Sequence, residues 1–124
     1  MRRAARVVLV ARVMFCVVVV AGLATGCGNS SVICADTTKT LEGFAATAKA
    51  LPPSDTARWR RAIIDVANRL DALARRADDD ELAKALAETA AAYRAAAGGV
   101  ARGDTSRLSA VIRDQPQRLD SACR

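Results

Sequence analysis

Apolar residues recur at helical spacing along most of the chain. The clearest pattern predicts a helix that Ser54 caps and whose apolar positions lie alternately four and three residues apart. This spacing places them on one face, while charged residues cover the rest of the helix. The apolar positions are Trp59, Ile63, Val66, Leu70, Leu73 and Ala77.

A first helix is predicted before this one, from an N-cap at Asp36 to about Leu51. Pro52 and Pro53 end it, because proline lacks a backbone donor and restricts the residue before it. Its apolar positions are Leu41, Phe44, Ala48 and Leu51.

A third helix is predicted to begin at Asp78, with Glu81 three residues later as in a capping box. The pair Gly98-Gly99 and then Gly103 are expected to loosen or end it. Its apolar side repeats the spacing of the second helix, through Leu82, Leu86, Thr89, Tyr93, Ala96 and Val100.

A fourth helix is predicted from about Asp104 or Thr105, with a kink or break at Pro116. The residues expected to face inward are Leu108, Val111, Ile112, Leu119 and Cys123. With no alternating strand pattern, the four segments predict an all-α fold, a small up-down four-helix bundle.

The N-terminus has a different composition from the helical region. Four arginines and no acidic residue precede or flank an uncharged, mostly apolar run from Val13 to Ala24. The run is shorter than the roughly 20 residues of a membrane span and lies within the about 7–15 of a signal-peptide core.

The sequence after this run, Leu23-Ala24-Thr25-Gly26-Cys27, resembles the lipobox of bacterial lipoproteins. The resemblance covers residues 1–27 only and implies export, lipidation of Cys27 and cleavage before it. It divides the chain into a signal peptide (1–26), a lipidated tether (27–33) and a helical domain (34–124). Plain secretion after ordinary cleavage, and an uncleaved anchor, are the alternatives.

The positions of the four cysteines are consistent with lipidation of Cys27. Cys16 would leave with the signal peptide, and lipid on Cys27 would leave the pair Cys34 and Cys123. An up-down bundle of four helices brings these two to the same end, whereas three helices would separate them unless the segment after Pro116 folds back. We therefore expect a Cys34–Cys123 disulfide that closes the bundle, in a compartment that permits oxidation.

Charge and residue type limit the function classes. The chain has 19 basic and 13 acidic residues, and four of the arginines lie in the leader, which leaves a net charge of only +2 after it. With few aromatic residues for stacking, we expect no nucleic-acid binding. Histidine is absent and no nucleophile motif is present, so we expect no catalytic residue, metal or cofactor and no enzyme activity.

Several residues have a structural and a functional interpretation. The acidic run from Asp78 to Glu81 fits helix capping better than calcium binding. Tyr93 fits core packing better than haem ligation. Trp59 fits a core or rim position, with an exposed contact residue as the alternative. The arginines beside it fit a solvated face, with contact to anionic groups as the alternative; they are Arg58, Arg60 and Arg61.

The predicted function is that of a lipid-anchored protein on the outer face of the cell membrane. It would act as a helical binding or interaction module, with another envelope protein as the candidate partner. The alternative is a carrier of a small apolar ligand or haem between the helices, which would need a sizeable apolar cavity.

Overall fold

The computed structural model describes residues 28–124, so the predicted signal peptide and Cys27 lie outside the described residues. Within this range the chain forms four α-helices and no strand. This confirms the prediction of an all-helical bundle. The helices are α1 (Ser30–Ala50), α2 (Thr56–Arg76), α3 (Asp80–Ala101) and α4 (Ser106–Ala122).

Successive helices run antiparallel and contact one another, most extensively α2 with α3. Side-chain pairs far apart in sequence fix this order. Arg94 of α3 forms an ion pair with Asp71 of α2, and Thr89 of α3 contacts Gln115 of α4. Each connection is therefore a short loop at one end of the bundle, as the up-down arrangement requires.

The core is formed by the apolar faces predicted from the spacing. All six apolar positions of α3 are buried, and those of α2 are buried or half-buried. The largest fully buried side chains are Ile33, Ile63, Leu70, Leu82, Leu86 and Thr89. Five alanines also lie in the core, and their small side chains allow the helices to approach closely; they are Ala67, Ala85, Ala90, Ala96 and Ala97.

The first helix begins six residues before the predicted cap at Asp36. Asn29 occupies the N-cap position, and its amide group donates to the carbonyl oxygen of Arg76 at 2.6 Å and accepts from the amide of Asp78 at 3.0 Å. Ile33 is completely buried. The predicted tether over 27–33 therefore extends too far, because Ser30–Ile33 already belong to the folded helix.

Two other predicted caps are wrong by one residue. Asp55, not Ser54, caps α2, and its carboxylate accepts from the amide of Arg58. Asp79, not Asp78, caps α3 and accepts from the amide of Leu82 at 2.8 Å. Neighbouring Ser and Asp residues are comparable cap formers, so the sequence does not choose between adjacent positions.

The conformation of the α3–α4 loop requires glycine at two positions. Gly98 and Gly99 lie inside α3 and do not end it, but a Cβ on Gly99 would lie 2.8 Å from the carbonyl oxygen of Asp104. Gly103 has a φ of 81°, in the left-handed region that favours glycine. The loop thus folds tightly back over the end of α3.

Helix α4 continues through Pro116, so the predicted break is absent. The residue four positions earlier, Ile112, lies on the solvent side with 48% of its surface exposed, which corrects its predicted inward orientation. Its carbonyl lacks a helical donor because proline has no N–H. A carbonyl on the solvent side can bond to water instead, which makes the proline tolerable.

Cys34 and Cys123 form the predicted disulfide, with Cα atoms 6.0 Å apart. This separation lies within the range of about 4.4–6.8 Å that disulfides require. The bond joins the second turn of α1 to the residue after α4 and so closes the bundle between its first and last helices.

Candidate interaction surface

The two ends of the bundle differ in chemistry. We call the end with the start of α1, the α2–α3 loop and the end of α4 the N-terminal end. We call the opposite end, with the α1–α2 and α3–α4 loops, the tryptophan end. Each end comprises its loops and the adjacent two turns of each helix.

Trp59 lies in the first turn of α2 and is half-buried. Its indole Nε1 donates to the carbonyl oxygen of Pro52 at 3.0 Å, which fixes the ring over the α1–α2 loop. The indole forms one wall of a cleft of about 280 Å³ between the two loops. The cleft is lined by Pro53, Thr56, Trp59, Val100, Gly103, Thr105 and Leu108. Trp59 is therefore both a rim residue and accessible to a ligand.

The three arginines predicted as contact residues are all exposed around this first part of α2. Arg58 forms an ion pair with the cap residue Asp55, at 3.2 Å. Arg60 and Arg61 have no acidic partner among the salt bridges of the described residues. Arg61 lines a shallow hollow beside Leu51 of the α1–α2 loop.

The basic character of the tryptophan end extends beyond α2. It has six basic and two acidic side chains, whereas the N-terminal end has five basic and seven acidic ones. The basic residues are Lys49, Arg58, Arg60, Arg61, Arg102 and Arg107. Lys49, Arg102 and Arg107 were not predicted as contact residues, because only the helix order brings the two loops together.

Asp104 is one of the two acidic residues at this end. Hydrogen bonds from the hydroxyl and amide of Ser106 lower the pKa of its carboxyl group, and the charges of Arg102 and Arg107 add to this effect. Asp104 is thus hydrogen-bonded at the start of α4, as Asp55 is at the start of α2. Both acidic groups of the tryptophan end are engaged within the domain.

The first turns of α2 and α4 contain no acidic residue but contain Arg58 and Arg107. Positive charge near a helix N-terminus is unfavourable, by typically 0.3–1 kcal/mol. The carboxylates of Asp55 and Asp104, which immediately precede these turns, offset this charge, and Asp55 forms an ion pair with Arg58.

A second concave surface lies between α1 and α4, next to the disulfide. It is an open, mostly apolar groove of about 420 Å³. Its apolar walls include Leu41 and Ala45 of α1, and Pro116 and Leu119 of α4. The groove exists because α1 and α4 contact each other much less than the other neighbouring helices do.

Tyr93 is buried in the core and lies outside both of these surfaces. Its ring packs edge-on against Phe44, with centroids 5.5 Å apart. Burial raises the pKa of its hydroxyl group. These contacts favour a packing role over haem ligation.

A family model described as a domain of unknown function (DUF8711) matches residues 28–124. The chain belongs to the DUF8711 family. The match includes all four helices and both ends of the bundle. No curated protein and no solved structure matches the chain significantly.

The DUF8711 domain begins at the residue after Cys27. The domain therefore includes the Asn29 cap, in agreement with the early start of α1. None of the helices over residues 28–124 is both long and apolar enough to cross a membrane.

Proposed function

We propose that this protein is a lipid-anchored lipoprotein on the outer face of the cell membrane, and that its DUF8711 domain is an interaction module. The lipid on Cys27 anchors the N-terminal end. The tryptophan end, held away from the membrane, binds a partner protein of the envelope. The domain acts by binding and has no catalytic role.

The observation that carries the proposal is the position of Trp59 relative to the N-terminus. Gly28 lies at one end of the bundle, and α2 runs from the opposite end back towards it. The 18 residues from Trp59 to Ala77 correspond to about 27 Å at 1.5 Å per residue. An anchor at Cys27 therefore leaves the tryptophan end free to reach a partner.

The disulfide supports an extracytoplasmic location. Disulfides persist in oxidising compartments and are rare in the cytosol. The Cys34–Cys123 bond uses both cysteines of the described residues, and the remaining pair falls in the predicted signal core and at the predicted lipidation site. Each cysteine of the chain thus has a role under the proposal.

Metabolic labelling tests the anchor. Cells that express the wild-type protein or Cys27→Ala are grown with a clickable fatty acid, and the label on the purified protein is measured. Cys34→Ala is the matched control, since it also replaces one cysteine by alanine but keeps Cys27. The expected result is label on wild type and Cys34→Ala only. Equal label on Cys27→Ala, or wild-type protein found only in the medium, would contradict the proposal.

A second candidate function, carriage of a small apolar ligand, is favoured by the α1–α4 groove. Its volume falls within the about 300–1,000 Å³ typical of ligand sites. Native mass spectrometry of protein extracted from cells tests this function. A bound apolar molecule that Leu41→Glu displaces would support it, and a ligand-free mass would count against it.

A further inference from the structure

We propose that the tryptophan end binds an acidic peptide segment of a partner protein, and that one apolar side chain of this segment inserts into the Trp59 cleft. This inference rests on the proposed function for the accessibility of that end. It adds the chemistry of the partner.

Charge complementarity is the first argument for an acidic partner. Both acidic residues of this end, Asp55 and Asp104, are hydrogen-bonded to the amides that start α2 and α4. Within residues 28–124, the structure assigns no ion pair to five of the six basic residues; the exception is Arg58. The unpaired residues are Lys49, Arg60, Arg61, Arg102 and Arg107. Their charge is available to a partner.

The basic residues lie at the same end of the bundle as the cleft, and none of them lines it. Arg58 and Arg61 line a neighbouring hollow, and Arg60 and Arg61 line another. Thr56 and Trp59 contribute the α2 wall, and the arginines of α2 lie beside them in sequence. Gly103 and Leu108 contribute the opposite wall, and each is adjacent in sequence to an arginine, Arg102 and Arg107 respectively. An acidic segment whose apolar side chain enters the cleft therefore meets positive charge on the adjoining surface of the same end.

The apolar lining of the cleft selects a peptide over other polyanions. Trp59, Val100 and Leu108 offer an aromatic and aliphatic surface that an acidic polysaccharide or a phosphate polymer has no group to fill. Interfaces commonly place an anchoring side chain in such a pocket and surround it with a polar rim. The rim arginines would increase the association rate and reject basic partners.

Trp59 is the only tryptophan in the chain, so its fluorescence reports directly on the cleft. Full-length protein purified from cells in neutral detergent is titrated with a short peptide of glutamates that contains one central leucine. We expect a saturable change in Trp59 emission that weakens as salt screens the rim charges. Matched peptides replace the leucine with glycine, or the glutamates with lysine.

The double variant Arg60→Glu/Arg61→Glu should bind the peptide at least about tenfold more weakly, a loss equivalent to about 1.4 kcal/mol. The matched control is Arg75→Glu/Arg76→Glu, which makes the same two changes on α2 at the opposite end and should bind as wild type does. Both variants should retain helical circular dichroism. Loss of binding in both variants would overturn the proposed site.

The remaining outcomes distinguish the other partners. Equal binding of the glycine peptide would identify a surface for polyanions in general. Tighter binding to vesicles of anionic lipid than to the leucine peptide would identify a membrane contact. A concentration-dependent emission change without peptide would identify self-association. Each of these results, or no change in emission, overturns the inference. The titration needs no membrane, so it tests the peptide site independently of the anchor. If the titration fails but Cys27 is labelled, the peptide site is ruled out and the proposed anchored module is not.

Discussion

At the residue scale, the disulfide is the strongest single constraint on the fold. It joins positions 89 residues apart, and Cys34 also contributes to the apolar cluster that it closes. A crosslink over so long a loop removes conformational freedom from the unfolded chain. In the chain-entropy model this contributes about 4–5 kcal/mol, and natural disulfides in small domains contribute about 2–5 kcal/mol.

We therefore expect Cys34→Ser and Cys123→Ser to lower the free energy of unfolding equally, by about 2–5 kcal/mol. The two variants break the same bond, so the double variant should cost no more than either one alone. Urea unfolding followed by circular dichroism measures the three values, with reduced wild-type protein as the control. A double variant whose loss equals the sum of the two single losses would contradict a shared bond.

The buried pair Thr89 and Gln115 links α3 to α4. The Thr89 hydroxyl lies 2.7 Å from the carbonyl oxygen of Ala85 and 3.0 Å from the side-chain oxygen of Gln115, so two acceptors share one donor. Both side chains are nearly inaccessible to solvent. A buried polar group that loses its partner costs about 1–3 kcal/mol, whereas replacement of both partners can be neutral.

This geometry predicts a non-additive pair of substitutions. Thr89→Val alone should lower the free energy of unfolding by about 1–3 kcal/mol, because Gln115 loses its donor. The double variant Thr89→Val/Gln115→Leu should recover most of that loss. A double-mutant cycle by urea unfolding tests the coupling, and strictly additive values would show that the contact contributes nothing.

At the element scale, hydrophobic spacing predicts the helices better than it predicts their ends. The apolar stripe of α2 from Ile63 to Leu73 is buried as expected, because helical periodicity and burial have the same cause. The start of α1 was missed because Asn29-Ser30-Ser31 is polar and resembles a linker. The contacts of Asn29 with Arg76 and Asp78 depend on the tertiary fold, which local sequence does not contain.

Helix α4 shows how tertiary structure overrides a local signal. Pro116 predicts a kink or break, yet the helix continues because its inner face is held by Leu119 and by the disulfide at its end.

The candidate contact residues were predictable in part. Trp59 was found from its place at the start of a stripe, whereas Arg102 and Arg107 join the site only through the antiparallel order.

Pro116→Ala should stabilise the domain. The substitution restores the backbone N–H that can bond to the carbonyl of Ile112 and relieves the clash of the proline ring with that carbonyl. Interior proline is about 3 kcal/mol less favourable than alanine, and we expect a gain of about 1–3 kcal/mol. Thermal unfolding measures it, with Gln117→Ala as the control on the same exposed surface. An unchanged or lower melting temperature would mean that α4 needs the proline.

At the scale of the whole molecule, charged residues are distributed unevenly between the two ends of the domain. Its net charge is small, but basic residues concentrate at the tryptophan end and acidic residues at the N-terminal end. Composition alone conceals this arrangement, since acidic and basic residues alternate along the sequence. If the domain is anchored as proposed, this polarity would present positive charge and an apolar cleft to the envelope.

The proposed function requires the lipid anchor to hold the tryptophan end away from the membrane. Quenching of tryptophan by brominated lipids tests it most directly, because bromine quenches only at short range. Lipidated wild-type protein is reconstituted into vesicles that contain brominated lipid, and its Trp59 emission is compared with that in ordinary vesicles. The reference variant is Trp59→Phe/Val32→Trp, which moves the only tryptophan to an exposed site in the first turn of α1. We expect strong quenching of the reference variant and little quenching of Trp59, whereas equal quenching of the two would rule out this orientation.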